Sequence, residues 1–217
     1  MKVLLYGASG HGRVVADILL SSLSSAQIVG FVDDDQAKQC QQVGQWPVLG
    51  NSDLLPELLA RGVTGALATI GSNEVRLAKV QCLTRVGFEI VTVIHPSAVV
   101  APDVGVGAGT VIMAGVVVNG GARIGRSAII NTGATVDHDC VLEDAVHISP
   151  GAHLAGHVYV GARAHVGIGS CIIQNIRIGE DAVIGAGAVV IRDVPPKQMA
   201  IGNPARLYSR NATEVRR

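Results

Sequence analysis

Residues 124–148 read IGRSAIINTGATVDHDCVLEDAVHI, and every sixth residue of this stretch is Ile, Val or Leu. The same repeat continues without a break from Ile94 to Val190, over seventeen positions. A compact side chain, such as Ala128, Ala134 or Cys140, stands four residues after each aliphatic one. Neither a helix nor a strand has this period, whereas hexapeptide repeats are typical of a β-helix. The repeat therefore predicts a three-sided coil with aliphatic residues inside and small ones at the corners.

The outer faces of the predicted coil should be flat, because no six-residue unit carries an inserted loop. Small or apolar side chains are expected to point outward from these faces, among them Met113, Val117, Ile129 and Ile172. Flat faces of this kind favour the packing of coils side by side. A homotrimer with binding sites in the clefts between copies is the expected assembly.

The chain before the coil has a different pattern, in which short apolar strands alternate with segments of helical periodicity. Lys2–Tyr6 is the first predicted strand and Glu89–Val93 the last. This alternation favours a small parallel α/β sheet. We expect a Rossmann-like α/β domain at residues 1–93, a parallel β-helix at residues 94–194, and an exit segment and tail at residues 195–217.

Composition excludes several classes of partner. The 217 residues contain 17 Lys and Arg against 17 Asp and Glu, a net charge of zero without a basic stripe. We therefore expect neither nucleic acid nor an anionic membrane as the main partner. No apolar run approaches the ~20 residues of a membrane span. The four cysteines form no CxxC pair and follow no secretory signal, which favours reduced thiols and a cytoplasmic location.

A glycine-rich loop, Gly7-Ala8-Ser9-Gly10-His11-Gly12, joins the first predicted strand to a helix. Loops in this position receive phosphate on backbone N–H groups and on the helix dipole. Asp33–Asp35 end the second strand and Gly71 ends the third, so all three would meet at one sheet edge. A solvated acidic turn and a tight bend are the alternatives. The pattern predicts a nucleotide pocket, and a domain this short suits a nucleotide sugar better than NAD.

A histidine stands between two carboxylates in the segment Asp137-His138-Asp139 of the coil. A carboxylate beside an imidazole holds one tautomer, raises the basicity of the ring and stabilises the imidazolium. One turn further along the coil, Gly156 occupies the same column as His138. The arrangement predicts that His138 is a general base on one edge of the coil.

A zinc site is the alternative use of these histidines, since three imidazoles can hold a catalytic zinc. His153 and His157 lie four residues apart, which is one face of a helix but two sides of a corner on this coil. We therefore expect no metal cofactor. His153 and His165 are expected to be surface residues.

Taken together, these motifs resemble those of the bacterial nucleotide-amino-sugar N-acetyltransferases of the hexapeptide-repeat superfamily. The resemblance is to the PglD and perosamine N-acetyltransferase type, with the sialic-acid NeuD proteins as cousins. It covers almost the whole chain and is carried by residues 6–12, 70–74, 94–98, 130–133, 136–140 and the exit motif at 201–206.

This resemblance implies a left-handed coil and a role for each matching residue. His138 matches the general base of the family, and Asp139 matches the acidic residue that raises the basicity of that base. Gly156 matches the residue whose backbone N–H receives the thioester oxygen. Acetyl-CoA contacts fall on His147, Ile168 and Ala186. Because Ala186 replaces a glycine of the best-known member, only a backbone contact would be kept there. Contacts to the nucleotide sugar fall on Ser9, Gly10, His11, Asp33, Asp34 and Gly71.

The implied activity is transfer of acetyl from acetyl-CoA to the 4-amino group of a nucleotide-linked 4-amino-4,6-dideoxy sugar. Direct attack by the amine, with His138 as general base, is the implied mechanism. Two alternatives stay open from the sequence, namely acetylation of a sugar hydroxyl, as in the NeuD cousins, and a non-catalytic trimer that binds nucleotide sugars. The choice among UDP, GDP and dTDP, the sugar, its glycan pathway and any contribution of Asp137 also stay open.

Overall fold

A computed structural model describes residues 1–22 and 25–208, so the last part of the predicted tail lies outside the described residues. A sheet with helices on both sides is followed by a column of short parallel strands. The predicted fold class, an α/β domain followed by a parallel β-helix, is confirmed. Its left-handed sense stays a prediction. No helix in the described ranges combines the length and apolar character needed to cross a bilayer.

The N-terminal sheet has six strands in the order β3-β4-β2-β1-β5-β6, and only the β3–β4 pair is antiparallel. β1 is central because its residues Val3–Tyr6 are apolar and buried on both faces. The strands are β1 Lys2–Tyr6, β2 Gln27–Val32, β3 Gln42–Val43, β4 Trp46–Gly50, β5 Gly65–Ala68 and β6 Glu89–Ile90. The helices are α1 Gly10–Ser22, α2 Leu55–Ala60 and α3 Asn73–Val86.

The coil consists of seventeen two-residue strands that fall on three faces in rotation. Strands one turn apart pair in parallel, with partners eighteen residues apart, as Val111 with Ile129. Face 1 contains β7 Val93–Ile94, β10 Val111–Ile112, β13 Ile129–Ile130, β16 His147–Ile148, β19 His165–Val166 and β22 Val183–Ile184. Face 2 contains β8 Val99–Val100, β11 Val117–Val118, β14 Thr135–Val136, β17 His153–Leu154, β20 Cys171–Ile172 and β23 Val189–Val190. Face 3 contains β9 Gly105–Val106, β12 Arg123–Ile124, β15 Val141–Leu142, β18 Tyr159–Val160 and β21 Arg177–Ile178.

The second residue of each two-residue strand is the aliphatic one of the repeat, and it points into the coil. Ile130, Val136 and Ile148 are completely buried in this way, and so are the corner residues Ala128 and Ala134. One continuous core therefore runs along the axis. At its end, β24 Met199–Ile201 extends face 1 and pairs with the antiparallel β25 Arg206–Tyr208.

The strand predicted at Glu89–Val93 is wrong as a single element. Glu89 and Ile90 pair with β5 in the N-terminal sheet, whereas Val93 pairs with Val111 in the coil. The backbone changes sheets between them, so the coil begins one residue before the predicted boundary. The division into three segments, at residues 1–93, 94–194 and 195–217, stays a prediction.

The N-terminal domain packs on face 1 and corrects part of the prediction for the outer surface. Met113 and Ile129 are 2% and 0% exposed, because residues of the N-terminal sheet and α1 cover them. Ile172 stands on the six-residue repeat and points into the core instead of outward. Val117 is half-buried on face 2. The repeat predicts which side chains point outward from the coil, but it does not predict which other part of the chain covers them.

A buried arginine on α3 fastens this domain to the edge between faces 3 and 1. Arg76 donates from Nε to the Ser127 carbonyl at 2.7 Å and from Nη2 to the Ala145 carbonyl at 2.9 Å. Asn73 Nδ2 donates to the Arg163 carbonyl at 2.8 Å on the same edge. Burial lowers the pKa of Arg76 to about 10, which leaves the guanidinium charged at neutral pH. Polar contacts thus add to the apolar packing that holds the N-terminal domain on the coil.

Candidate active site

A cavity of about 280 Å³ opens at the carboxyl ends of β1, β2 and β5. The chain runs from β1 to β2 on one side and returns to β5 on the other side of β1. Such a switch point is where open α/β sheets bind ligands. Four of the six predicted substrate residues line the cavity, namely Ser9, Asp33, Asp34 and Gly71.

The other two predicted substrate residues do not line this cavity. Gly10 is the exposed first residue of α1. His11 turns toward the coil, where its Nε2 is buried without a hydrogen-bond partner in the described ranges. Burial of the His11 ring, and to a smaller extent the positive charge of Arg76, lowers its pKa to about 4. His11 is therefore neutral at pH 7.

The glycine loop leaves no room for a side chain at two positions. Gly7 has a φ of +116°, in the region that favours glycine, and a Cβ there would lie 2.7 Å from Ile70 Cγ1. A Cβ on Gly12 would lie 2.6 Å from the Gly7 carbonyl oxygen. Thr69 Oγ1 donates to that carbonyl at 2.8 Å. These contacts hold the loop against the end of β5, beside the cavity.

Asp33 is held in its charged form by the groups around it. It accepts hydrogen bonds from the Ala8 amide at 2.8 Å and from Lys38 Nζ at 2.9 Å. Burial alone would raise its pKa, but the amide of Asp35, the lysine and the Ala8 amide outweigh burial and lower it. A carboxylate and a lysine therefore lie together at the end of β2.

Asp34 is the second charged carboxylate of the cavity. It accepts from Tyr6 Oη at 2.7 Å, from Lys79 Nζ at 2.5 Å and from the Ser52 amide at 3.0 Å. Burial opposes its ionisation, but these donors, led by Lys79, hold its pKa well below the ordinary value. The sequence reading did not identify Tyr6, Lys38 or Lys79. Lys38 follows the acidic run Asp33–Asp35, whereas Lys79 lies on α3. Only the three-dimensional fold brings the two lysines to the same cavity.

The predicted base and its carboxylate lie together on the edge between faces 2 and 3, which we call the 2–3 edge. His138 Nδ1 is 2.8 Å from Asp139 Oδ2, which assigns the proton to Nδ1 and leaves Nε2 as the acceptor. A Cβ on Gly156 would lie 2.5 Å from both Cε1 and Nε2 of His138, so the ring lies directly against this glycine. The Gly156 amide donates no hydrogen bond to any residue in the described ranges.

Electrostatics on this edge favour a basic imidazole. The hydrogen bond to Asp139 raises the pKa of His138, and the charge of Asp137 adds to the effect. The same hydrogen bond lowers the pKa of Asp139, with a further contribution from His157. Asp137 does not contact the ring, because its Oδ1 accepts from Asn119 Nδ2 at 2.7 Å and from the His138 amide at 2.8 Å. Its contact with His138 is through the backbone.

The predicted acetyl-CoA residues lie elsewhere on the same chain. Ile168 and Ala186 are exposed neighbours on the edge between faces 1 and 2, where the Gly187 amide donates to the Ile168 carbonyl at 2.8 Å. His147 lies on face 1 beneath the N-terminal domain. In a three-sided coil the 2–3 edge is opposite face 1. One chain therefore does not bring its nucleotide cavity and His138 together.

His147 is half-buried and stacks on His165, with ring centroids 4.7 Å apart. Its Nδ1 is buried without a hydrogen-bond partner in the part of the chain that is described. Burial, followed by the charges of His165, Arg76 and His11, lowers the pKa of His147 to about 3. The expectation that His165 lies on the surface is wrong, because its Nε2 is 2.9 Å from Ser149 Oγ in this half-buried cluster. The expectation for His153, which is exposed, is confirmed.

These buried histidines make the stability of the protein depend on pH. Free histidine has a pKa near 6.5, so the unfolded chain takes up protons below that pH while folded His11 and His147 stay neutral. The stabilisation is complete above about pH 6.5 and is lost as the pH falls toward 4. We expect a loss of about 3 kcal/mol from these two groups between about pH 7.5 and pH 5.5, measured by urea unfolding.

The matched comparison is the double variant His11→Gln, His147→Gln. Its free energy of unfolding should fall less between the two pH values than that of the unmodified protein. An equal fall in both proteins would show that these two histidines do not cause the pH dependence. His153→Gln, at an exposed position, is the control for replacement of a histidine.

Comparisons with known proteins find sequence similarity over parts of the chain. Residues 2–83 match the family model of the PglD N-terminal domain. The UDP-N-acetylbacillosamine N-acetyltransferase of Bacillus subtilis (strain 168) is 38% identical over 115 residues, which are 50% of this chain and 50% of that protein. The match thus spans half the length of this curated relative.

Solved structures extend the similarity over nearly the whole chain. PerB from Caulobacter crescentus, in complex with CoA and GDP-perosamine, is 42% identical, with a TM-score of 0.91 over 96% of this chain and 98% of that one. The acetyltransferase domain of PglB from Neisseria gonorrhoeae FA1090, in complex with acetyl coenzyme A, is 37% identical. Its TM-score is 0.88 over 95% of this chain and 98% of that one.

Proposed function

The chain belongs to the PglD and perosamine N-acetyltransferase family, and on that premise we propose that it acetylates a nucleotide-linked amino sugar. The acetyl donor is acetyl-CoA, and the acceptor is the 4-amino group of a 4-amino-4,6-dideoxy sugar. The observation that carries the proposal is the His138–Asp139 pair packed against Gly156. The complex of a 42% identical relative with CoA and GDP-perosamine supports both substrates.

In the proposed mechanism the neutral amine attacks the thioester carbonyl directly. A C–N bond forms, and Nε2 of His138 accepts the proton that the nitrogen must lose. Asp139 stabilises the resulting imidazolium through the hydrogen bond at Nδ1. The C–S bond then breaks, and the CoA thiolate leaves and takes up that proton. No acyl-enzyme forms, so both substrates must be bound before any product leaves.

We assign to the Gly156 amide the role of donating a hydrogen bond to the oxyanion of the tetrahedral intermediate. This N–H is free within the described ranges and lies on the same edge as His138, one turn further along the coil. A preorganised donor of this kind stabilises the transition state by about 3–4 kcal/mol. The base and the oxyanion donor would thus flank a single carbonyl.

We assign the nucleotide to the cavity at the end of the N-terminal sheet. Ser9 and Gly71 border it, and the charged pairs of Asp33 with Lys38 and of Asp34 with Lys79 supply both acceptors and cations. Carboxylates at strand ends bind ribose or base donors, and the glycine loop and lysines suit the diphosphate. Gly10 and His11 stay candidates for the sugar side of the ligand.

A homotrimer completes the site in this proposal. The cavity lies in the N-terminal domain, which packs on face 1, whereas His138 lies on the opposite edge of the coil. The assigned acetyl-CoA residues Ile168 and Ala186 lie on the edge between faces 1 and 2. Packing of copies around a threefold axis brings different edges of neighbouring coils together. His147 would then reach acetyl-CoA from beneath the N-terminal domain.

The proposed location is the cytoplasm. All four cysteines are unpaired, and Cys40 and Cys171 are exposed. Exposed thiols stay reduced in that compartment, and both proposed substrates are soluble metabolites.

The test of the proposed function is release of CoA from acetyl-CoA by the purified chain. UDP-, dTDP- and GDP-linked 4-amino-4,6-dideoxy sugars are offered at matched concentrations, with the corresponding 4-hydroxy sugars as controls. We expect CoA release with at least one amino sugar and a product acetylated on nitrogen. Release only with the 4-hydroxy sugars would indicate an O-acetyltransferase, and no release with any acceptor would indicate a non-catalytic protein.

Replacing Asp139 with Asn should change the pH dependence of the reaction. His138 acts as a base only when it is neutral, so the rate rises as the pH passes its pKa, which Asp139 raises. Asn cannot stabilise the imidazolium in the same way, so the rising limb should move to lower pH and the plateau should fall at least about tenfold. The measurement is kcat/KM from about pH 5.5 to 9. An unchanged midpoint would contradict the role of Asp139.

A further inference from the structure

Three side chains on the 2–3 edge form a cluster that the proposed reaction does not fully use. His138 Nδ1 lies 2.8 Å from Asp139 Oδ2, and His157 Nε2 lies 3.6 Å from the same oxygen. The two imidazole rings meet edge to face, with centroids 5.1 Å apart. We call these residues the edge triad. His157 follows Gly156 directly and stands one turn above Asp139, a register that the His157 amide fixes by donating to the His138 carbonyl at 3.0 Å.

The edge triad has the ligand types and the spacing of a zinc site. Two imidazoles and a carboxylate are common zinc ligands, with bonds of about 2.0–2.2 Å. Tetrahedral angles at such bonds place ligand atoms about 3.3 Å apart. The ligand atoms of the triad all lie within 4.8 Å of one another, and two of the separations, 2.8 and 3.6 Å, bracket the ideal value.

The surroundings of the triad leave a fourth position open. All three residues are exposed, with 50–57% of each side chain accessible, so water or a substrate group can complete a tetrahedron. The neighbouring Cys140 does not compete as a ligand, because its thiol is buried and donates to the Ala155 carbonyl at 3.2 Å. Imidazole ligands favour zinc and similar transition metals over magnesium. Within the described ranges, this is the one group of three such side chains with metal-binding spacing.

We propose that the edge triad binds Zn²⁺ and that the bound ion inhibits acetyl transfer. Zinc at Nδ1 of His138 displaces the proton that this nitrogen shares with Asp139. That proton is the single N–H proton of the neutral ring, and it moves to Nε2, which can then no longer accept the proton of the amine. Zinc would also occupy the carboxylate that stabilises the imidazolium. The inhibition rests on the proposed function, whereas binding of the ion does not.

Binding is tested by titrating the full chain with zinc alone, and with cobalt as a spectroscopic probe. We expect one tight site per chain and the visible absorption of tetrahedral cobalt. His157→Asn should weaken zinc binding at least about 100-fold, because loss of a ligand exceeds the 10–100-fold cost of losing an outer-shell partner. His153→Asn, at an exposed histidine outside the triad, is the matched control and should bind as the unmodified chain does. Equal affinity in the two variants would overturn the proposed site.

Inhibition is tested by following CoA release with increasing zinc, and each variant is normalised to its own zinc-free rate. Zinc should inhibit the unmodified chain and His153→Asn at the concentration at which it binds, a chelator should restore the rate, and magnesium should have no effect. His157→Asn should require at least about 100-fold more zinc. Binding without inhibition would overturn the regulatory role. If no acceptor is acetylated at all, the proposed function fails, and the titration still decides the metal site.

Discussion

Replacing His138 with Ala is expected to lower kcat by about 10²–10⁴-fold, the usual contribution of a positioned general base. In the proposed mechanism Nε2 of this imidazole, which lies directly against Gly156, accepts the proton of the attacking amine, and the hydrogen bond to Asp139 raises the pKa of the ring. The side chain is exposed, so its removal should leave the melting temperature nearly unchanged. The measurement is steady-state CoA release at saturating acetyl-CoA, beside a thermal unfolding curve.

His153→Ala provides the control for this prediction. His153 lies on face 2, is exposed, and has its Nδ1 2.9 Å from Thr135 Oγ1, so its loss removes a histidine from the same coil without touching the 2–3 edge. This variant should turn over at close to the normal rate. If His138→Ala did so as well, while both proteins remained folded, His138 would not be the base.

Gly156→Ala is expected to lower kcat by about 100-fold, through displacement of the base. The new methyl group would lie 2.5 Å from Cε1 and Nε2 of His138, closer than any stable contact, so the exposed ring must move. A shift of about 1 Å in a catalytic group can cost about 10²-fold in rate. The Gly156 amide also loses free access to the carbonyl oxygen of the thioester. The loss should therefore appear in kcat more than in KM.

Gly105→Ala is the matched control for the glycine variant. Gly105 belongs to the same coil, has no left-handed φ, and a Cβ there would meet no atom within 4 Å. It should keep both stability and turnover. A normal rate in Gly156→Ala would show that catalysis does not depend on the position of the His138 ring against residue 156. It would therefore contradict the assignment of the 2–3 edge as the catalytic edge.

The coil was predictable from the sequence because its period is simple. Positions such as Ile130 and Val136 must fill a narrow interior, and corner positions such as Ala134 leave no space for larger groups. Because each turn of the coil contains eighteen residues, the sequence numbers alone place Gly156 one turn above His138. The same spacing of eighteen residues places His157 above Asp139, so the contact between these two side chains was also predictable from the sequence.

The outer surface was not predictable in this way, since it depends on contacts between segments distant in the chain. Met113 and Ile129 were expected to meet another copy, yet the N-terminal domain covers them. That docking depends on Arg76 reaching carbonyls of the coil, a role that its position on a helix does not reveal. His11 also lies toward the coil, near Arg76 and His147, and not in the cavity that its loop borders.

Mixing two inactive variants tests most directly whether neighbouring copies share the active site. His138→Ala lacks the base, and Gly71→Phe fills the cavity from a position where a Cβ would meet no atom within 4 Å. Each variant alone should be inactive. In randomly mixed trimers about a quarter of the sites would pair an intact base with an intact cavity. We predict that co-refolded chains regain about a quarter of the normal rate of CoA release; no recovery, with mixed trimers present, would contradict a site built between copies.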